Sequence, residues 1–143
     1  MTAVAFHFNV PDWRAYTCRL LRKAYRAGAR VVVTGESAQL AELDRLLWTF
    51  EALEFIPHWR GPSADELPAR LQSTPVLLTT GHSARFGHEV LVNLGRDVPQ
   101  AYGQYARVIE VVGRDDFDRD GARGRWRQYS AEGCPIERHE VGG

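Results

Sequence analysis

Short β-branched and aromatic runs alternate along the chain with segments whose apolar residues recur every three or four positions. Ala3-Val4-Ala5-Phe6-His7-Phe8 reads as a first strand, stopped at Pro11. Asp12 is placed to accept the unpaired amide protons at the start of a helix over 13–27, and Gly28 closes that helix. Within it Trp13, Tyr16, Leu20, Ala24 and Ala27 form the stripe expected to face the core, and the outer stripe is basic. Arg30-Val31-Val32-Val33-Thr34 is an almost uninterrupted apolar run, as a strand covered on both faces requires. Gly35 breaks it. Ser37 is placed to cap a second helix, whose expected buried stripe is Leu40, Leu43, Leu47 and Phe50.

The signal then weakens. Phe55-Ile56 is a short apolar pair, and Pro57, Gly61, Pro62, Ser63 and Pro68 predict irregular chain over 57–74. Strands are expected over 76–79 and 89–94, with a turn around Gly81 and Gly87 between them. A short helix over 99–105 and a strand over 107–112 continue the repetition. The last helix is expected over 115–129, ended by Gly133 and Pro135, with the tail either an edge strand or loose. Strands alternating with helices in this way predict an α/β fold with a mainly parallel central sheet. A chain of 143 residues fits a single domain over residues 1–143.

Composition removes several function classes. At 44% hydrophobic and 25% charged residues the chain resembles an average folded protein and not a disordered one. Eighteen basic residues cancel eighteen acidic ones, so no field of the whole molecule drives it onto a polyanion, and any charge argument is local. Seventeen of the basic residues are arginine and one is Lys23. Cys18 and Cys134 form neither a disulfide framework nor a metal-spaced pair, and no basic start followed by an apolar run or long apolar stretch occurs. The expectation is a cytoplasmic protein without a membrane span.

Sites of chemistry are sparse. The turn Thr34-Gly35-Glu36-Ser37 has the strand-to-helix shape that nucleotide binders use, but lacks their spaced glycines and sets Glu36 where a phosphate would sit. Asp116-Phe117-Asp118-Arg119-Asp120-Gly121 opens like a calcium-binding loop, yet Arg127 stands where the bidentate glutamate should be. Acids at the positive end of the last helix explain the run better. His7, His58, His82, His88 and His139 show no metal-binding spacing. Gly81-His82-Ser83-Ala84-Arg85 ends in arginine where a nucleophile elbow needs glycine. No enzyme, cofactor or metal is therefore expected.

Two helices concentrate charge. Residues 13–30 carry six basic and no acidic groups, and Arg19, Arg22, Lys23 and Arg26 fall on one stripe that reads either as a solvated face or as a track for phosphates. Residues 36–66 carry seven acidic and two basic groups, so the neutral total hides an asymmetry. On the last helix Arg119, Arg123 and Trp126 share a face, with Arg127 and Tyr129 close by. Forked guanidinium donors beside an indole suit an acidic peptide ending in a hydrophobic residue. The competing reading is that Trp126 and Tyr129 pack on the sheet while the arginines are solvated.

The run from Leu20 to Val33, then Leu43-Asp44-Arg45-Leu46-Leu47-Trp48, Phe55-Ile56-Pro57-His58, Val90-Leu91-Val92-Asn93-Leu94 and the segment from Arg119 to Tyr129 together resemble the chi subunit of bacterial DNA polymerase III. The resemblance spans roughly residues 4–133. It implies a three-layer α/β/α fold, Rossmann-like without the nucleotide fingerprint, and a non-catalytic accessory role in the clamp-loader assembly. It implies two protein partners, the psi subunit and the acidic C-terminal tail of single-stranded-DNA-binding protein, with DNA reached indirectly and no membrane. The tail site falls on Arg119, Arg123 and Trp126, with Arg127 and Tyr129 beside them; tryptophan departs from the family's commoner tyrosine. The psi interface falls on Trp48, Phe55, Pro57 and His58. The alternatives are a Rossmann-like enzyme acting on a nucleotide or small molecule, and direct single-strand binding by the basic stripe of the first helix.

Overall fold

The computed structural model describes residues 2–49, 55–81 and 87–141. His82-Ser83-Ala84-Arg85 of the Gly81–Arg85 motif and the position of Phe50 lie outside them. The first half of the chain runs β1 (Ala3–Val10), α1 (Trp13–Arg26), β2 (Val31–Thr34), α2 (Ser37–Leu47), β3 (His58–Gly61) and β4 (Val76–Thr79). The second runs β5 (Val90–Asn93), β6 (Arg107–Gly113), α3 (Asp116–Ala131) and β7 (Ile136–Glu140). The strands form one sheet in the order β3-β4-β2-β5-β6-β1-β7, parallel at every pairing. That is the mainly parallel α/β architecture expected from the alternation. Among the described residues no helix is long and apolar enough to cross a membrane.

Strand alternation sorts the core into two layers. Val31, Val33, Val76, Leu78, Val90 and Val92 meet Cys18 and Leu21 of α1 and Leu40, Leu43 and Leu47 of α2 on one face. Val32, Leu77, Leu91, Val108, Val4 and Phe6 meet Ala122 and Tyr129 of α3 on the other. A bulge in β1 moves one residue between layers. Asn9 takes a left-handed φ of 61° where the register slips between His7 and Val10, and Val10 joins the α1 layer although Val4 and Phe6 face α3.

Several boundaries differ from the sequence expectation for physical reasons. The buried residues of α1 are Thr17, Cys18 and Leu21, with Trp13, Tyr16, Leu20 and Ala24 at their margin and Ala27 at the exposed C-cap. Asp12 does cap it, accepting from the Arg14 amide at 3.1 Å. Glu36 and not Ser37 precedes the first turn of α2, and its amide donates to Gln39 Oε1 at 2.8 Å. The segment 57–74 contains strand β3 and two single turns of 3-10 helix. Only a 3-10 turn, Tyr102–Gln104, forms within 99–105. The tail takes the edge-strand alternative, β7 pairing with β1.

Helix α3 is held to the sheet by one buried polar cluster. Glu110 of β6 has no exposed surface. Arg125 Nε donates to its Oε1 at 2.9 Å, and Tyr129 Oη and Asn93 Nδ2 donate to Oε2 at 2.7 and 3.0 Å. Arg125 also donates to the Arg96 carbonyl at 2.8 Å, and Asn93 to the Asp97 carbonyl at 3.1 Å. Burial pushes the Glu110 carboxyl above its ordinary range, while the guanidinium and the three donors pull it back. Burial and the adjacent carboxylate push the Tyr129 phenol up, keeping it a donor.

Two stability predictions follow from this packing. Arg125→Met strands a buried carboxylate and should cost about 3 kcal/mol in urea unfolding, whereas adding Glu110→Gln should recover at least about 1 kcal/mol. A double variant less stable than the single would contradict the pairing. Gly124 lies within α3, and a Cβ there meets nothing within 4 Å. Gly124→Ala should therefore stabilise the fold by roughly 0.5–1 kcal/mol, read as a higher unfolding midpoint.

Candidate functional site

The rotation of α3 imposed by Arg125 and Tyr129 turns its other cations outward. Arg119, Arg123 and Arg127 are exposed, and Trp126 lies half-buried to one side. Asp115 caps the helix, accepting from the Asp118 amide at 2.7 Å, so the acidic run that resembles a calcium loop is the first turn of a helix.

Between α3 and the β1–β7 edge lies a groove of about 390 Å3. Phe6, Phe8, Val112 and Ala122 supply its apolar surface, and the Trp126 ring sits 5.0 Å from that of Phe6, inclined by 40°. Arg119, Arg123 and Arg127 border it from the helix and Arg138 from β7. The Arg138 guanidinium stands 4.7 Å from the centre of the Phe8 ring. Arg123 Nη1 approaches Asp120 Oδ1 at 2.9 Å, but both side chains are well exposed, so this pair is weak and exchangeable. An apolar trough rimmed by four guanidinium groups can take an extended chain that carries a carboxylate and an apolar side chain.

The structure thus brings together Arg119, Arg123, Trp126 and Arg127. It does not place Tyr129 with them: that side chain is fully buried and spends its hydroxyl on Glu110. Tyr129 positions the helix from beneath. Sequence reasoning missed Phe6, Phe8 and Arg138. The signal for the two phenylalanines was their spacing of two in a strand, which puts both rings on one face. Arg138 became legible only with β7 paired to β1, which sets it in register with Phe6.

A second surface forms at the other end of the sheet. Trp48, at the C-cap of α2, is 61% exposed and Phe55 48% exposed, with ring centres 5.0 Å apart. The His58 ring completes the cluster, 5.2 Å from Trp48 and 5.6 Å from Phe55. His58 is pinned from behind, its Nδ1 2.7 Å from the Ile56 carbonyl and its Nε2 3.0 Å from Asp44 Oδ1. Pro57, half-buried, links the two. Of the three large apolar side chains most exposed among the described residues, two stand in this cluster and the third is Phe117. Apolar side chains gathered in this way mark a surface that gains by being covered.

The strand-to-helix turn after β2 is built differently from a phosphate site. A Cβ on Gly35 would lie 2.8 Å from Gln39 Oε1 and 3.1 Å from Leu94 Cβ, so a side chain there would crowd the turn against Gln39 and the end of β5. The Glu36 amide that would meet a phosphate already donates to Gln39. Glu36 and Asp118 face the crevice beside it.

Comparison with known proteins gives these surfaces a context. The model of the family described as DNA polymerase III chi subunit, HolC, matches residues 1–137. The chain is 33% identical over 125 residues to the DNA polymerase III subunit chi of Pseudomonas aeruginosa, a span of 87% of this chain and 83% of that protein. It is 29% identical over 127 residues to the subunit of the same name in Haemophilus influenzae, covering 87% of this chain and 85% of that one. With residues 1–137 of its 143 matched, the chain belongs to the DNA polymerase III chi subunit family.

Proposed function

We propose that this DNA polymerase III subunit is a non-catalytic cytoplasmic adaptor, joining the psi subunit of the clamp loader to the acidic C-terminal tail of single-stranded-DNA-binding protein. The observation that carries the reading is the groove beneath α3, where an apolar floor of Phe6, Phe8 and Trp126 is rimmed by Arg119, Arg123, Arg127 and Arg138. A C-terminal aromatic side chain enters the floor, its α-carboxylate meets the forked donors, and the acidic residues before it lie along the remaining cations.

The Trp48–Phe55–His58 cluster is the proposed seat of the psi subunit. It flanks β3, while the tail groove flanks β7, and these are the two outermost strands. Six inter-strand steps of about 4.8 Å set them roughly 29 Å apart, far enough for both partners to bind at once. Linking two contacts raises the effective concentration of each partner at the other, so neither needs to be tight alone.

An acidic peptide ending in a free phenylalanine carboxylate should bind the protein, and raising salt should weaken it because the rim is partly exposed. Amidating its end or introducing Arg119→Ala should each lower affinity about tenfold by calorimetry, the worth of one charge-assisted hydrogen bond. Equal affinity across all three would sink the tail reading. Trp48→Ala should weaken binding of the psi subunit at least tenfold while leaving peptide affinity unchanged. An unaltered psi complex in size-exclusion and titration experiments would remove the cluster from the interface.

A further inference from the structure

Behind β7, on the face away from α3, a cleft of about 720 Å3 opens between α1 and the β1–β7 edge. Arg19 and Lys23 reach it from α1 and Arg107 from the start of β6, against one carboxylate, that of Glu137; Arg138 borders the cleft at the strand edge, its guanidinium lying over Phe8 on the other face. Three cations against one anion make this cleft locally basic in a chain that is neutral overall. Their charges are also left uncompensated. Arg14, Arg60, Arg123 and Arg125 each lie within ion-pair distance of a carboxylate. Arg19, Lys23 and Arg107 have none among the described residues.

The floor is aromatic. His7 and His139 lie with ring centres 4.8 Å apart, inclined by 46°, and the His7 ring meets Tyr16 edge-on and is hydrogen-bonded to its hydroxyl through Nδ1. Burial, His139, Arg107 and Lys23 push the His7 imidazole down to about 4, so at neutral pH it offers an uncharged ring. A groove that repels cations and lines its floor with rings has the two parts that a single strand of nucleic acid needs: charge to follow the phosphates and flat surfaces for unstacked bases.

We propose that the cleft between α1 and the β1–β7 edge, with Arg19, Lys23 and Arg107, binds the phosphodiester backbone of single-stranded nucleic acid directly. The arrangement favours a strand over a duplex because the cations stand on two walls facing across an open slot, where an extended chain can lie and a paired helix cannot present separate bases. It also corrects the simple stripe read from α1. Arg19 and Lys23 line the cleft; Arg22 and Arg26 do not, and the third cation, Arg107, comes from the sheet. The inference goes beyond the peptide reading and does not rest on it: Arg138 at the strand edge is the one residue that borders both grooves.

The test uses the whole protein and a labelled oligothymidylate of about 20 nucleotides, followed by fluorescence anisotropy at 20–200 mM salt. Binding is expected at the low end, falling with salt. Arg19→Ala with Lys23→Ala should weaken it about tenfold or more and reduce the salt slope by roughly 1.4, the value for two phosphate contacts on a single strand. Both residues are exposed, and an unchanged unfolding midpoint would exclude a folding defect. Arg14→Ala removes a cation of the same helix outside the cleft and should leave the affinity as it was, as should Arg119→Ala in the peptide groove. The imidazole resonances of His7 and His139 should move on titration. No binding at 20 mM salt, equal binding by the double variant, an equal loss with Arg14→Ala, a duplex bound as tightly as the strand, or stronger capture by anionic phosphatidylserine vesicles would each overturn the assignment. Loss of oligonucleotide binding with intact peptide binding separates this proposal from the peptide reading.

Discussion

A carboxylate without exposed surface must find its donors inside the protein, and Glu110 finds two of its three on a single helix. Arg125 and Tyr129 are four residues apart and so lie one above the other on α3, while the third donor, Asn93, comes from β5. Rolling or sliding the helix would strand a buried charge, at a cost of several kcal/mol, whereas apolar contacts alone would tolerate a shift with repacking. The same constraint aims the outer face. Two residues along a helix turn it by about 200°, so Arg123 and Arg127 point away when Arg125 points in. Trp126, one residue on from Arg125, turns by about 100° and lies sideways over Phe6.

Much of this was legible because the sheet is covered on both faces. Uninterrupted runs such as Val31–Thr34 and Val76–Thr79 have few other uses in a soluble chain, and the caps and glycines around α1 marked its ends. Strand β3 escaped detection because His58, Trp59, Arg60 and Gly61 carry no alternation, and an edge strand can dispense with it when one side meets solvent. The role of Tyr129 was hidden for a different reason. Position on a helix face places residue 129 near residues 119–127, but only Glu110, nineteen residues away in sequence, decides that it points inward. Arg138 was invisible in the same way, since its neighbours are set by the pairing of β7 with β1.

The neutral total conceals an uneven distribution of charge. Residues 13–30, which include α1, carry six basic and no acidic groups, whereas residues 36–66 carry seven acidic and two basic ones. A molecule divided in this way orients charged partners before contact without being drawn indiscriminately onto polyanions. The crevice at the strand ends, the usual ligand position in doubly wound sheets, is poorly suited to a phosphate here. Glu36 and Asp118 face it, of its two cations Arg125 is spent on Glu110 and Arg96 lies over the Phe117 ring, and the nearest amide is bound to Gln39.

Arg138 stands at the β7 edge between the two grooves, its guanidinium on the Phe8 side, so an anion held in either groove lowers the positive field felt in the other, and the penalty must be reciprocal. Its size is bounded by exposure. A unit charge at 4 Å is worth about 1 kcal/mol in water and more as water is excluded, and salt reduces it further at an open rim. Each groove keeps three other cations of its own, Arg119, Arg123 and Arg127 on one side and Arg19, Lys23 and Arg107 on the other. Competition through this one edge side chain is therefore smaller than the binding either set can supply. The edge strand separates the two grooves without making them exclusive, which is what an adaptor holding two anionic chains side by side would require.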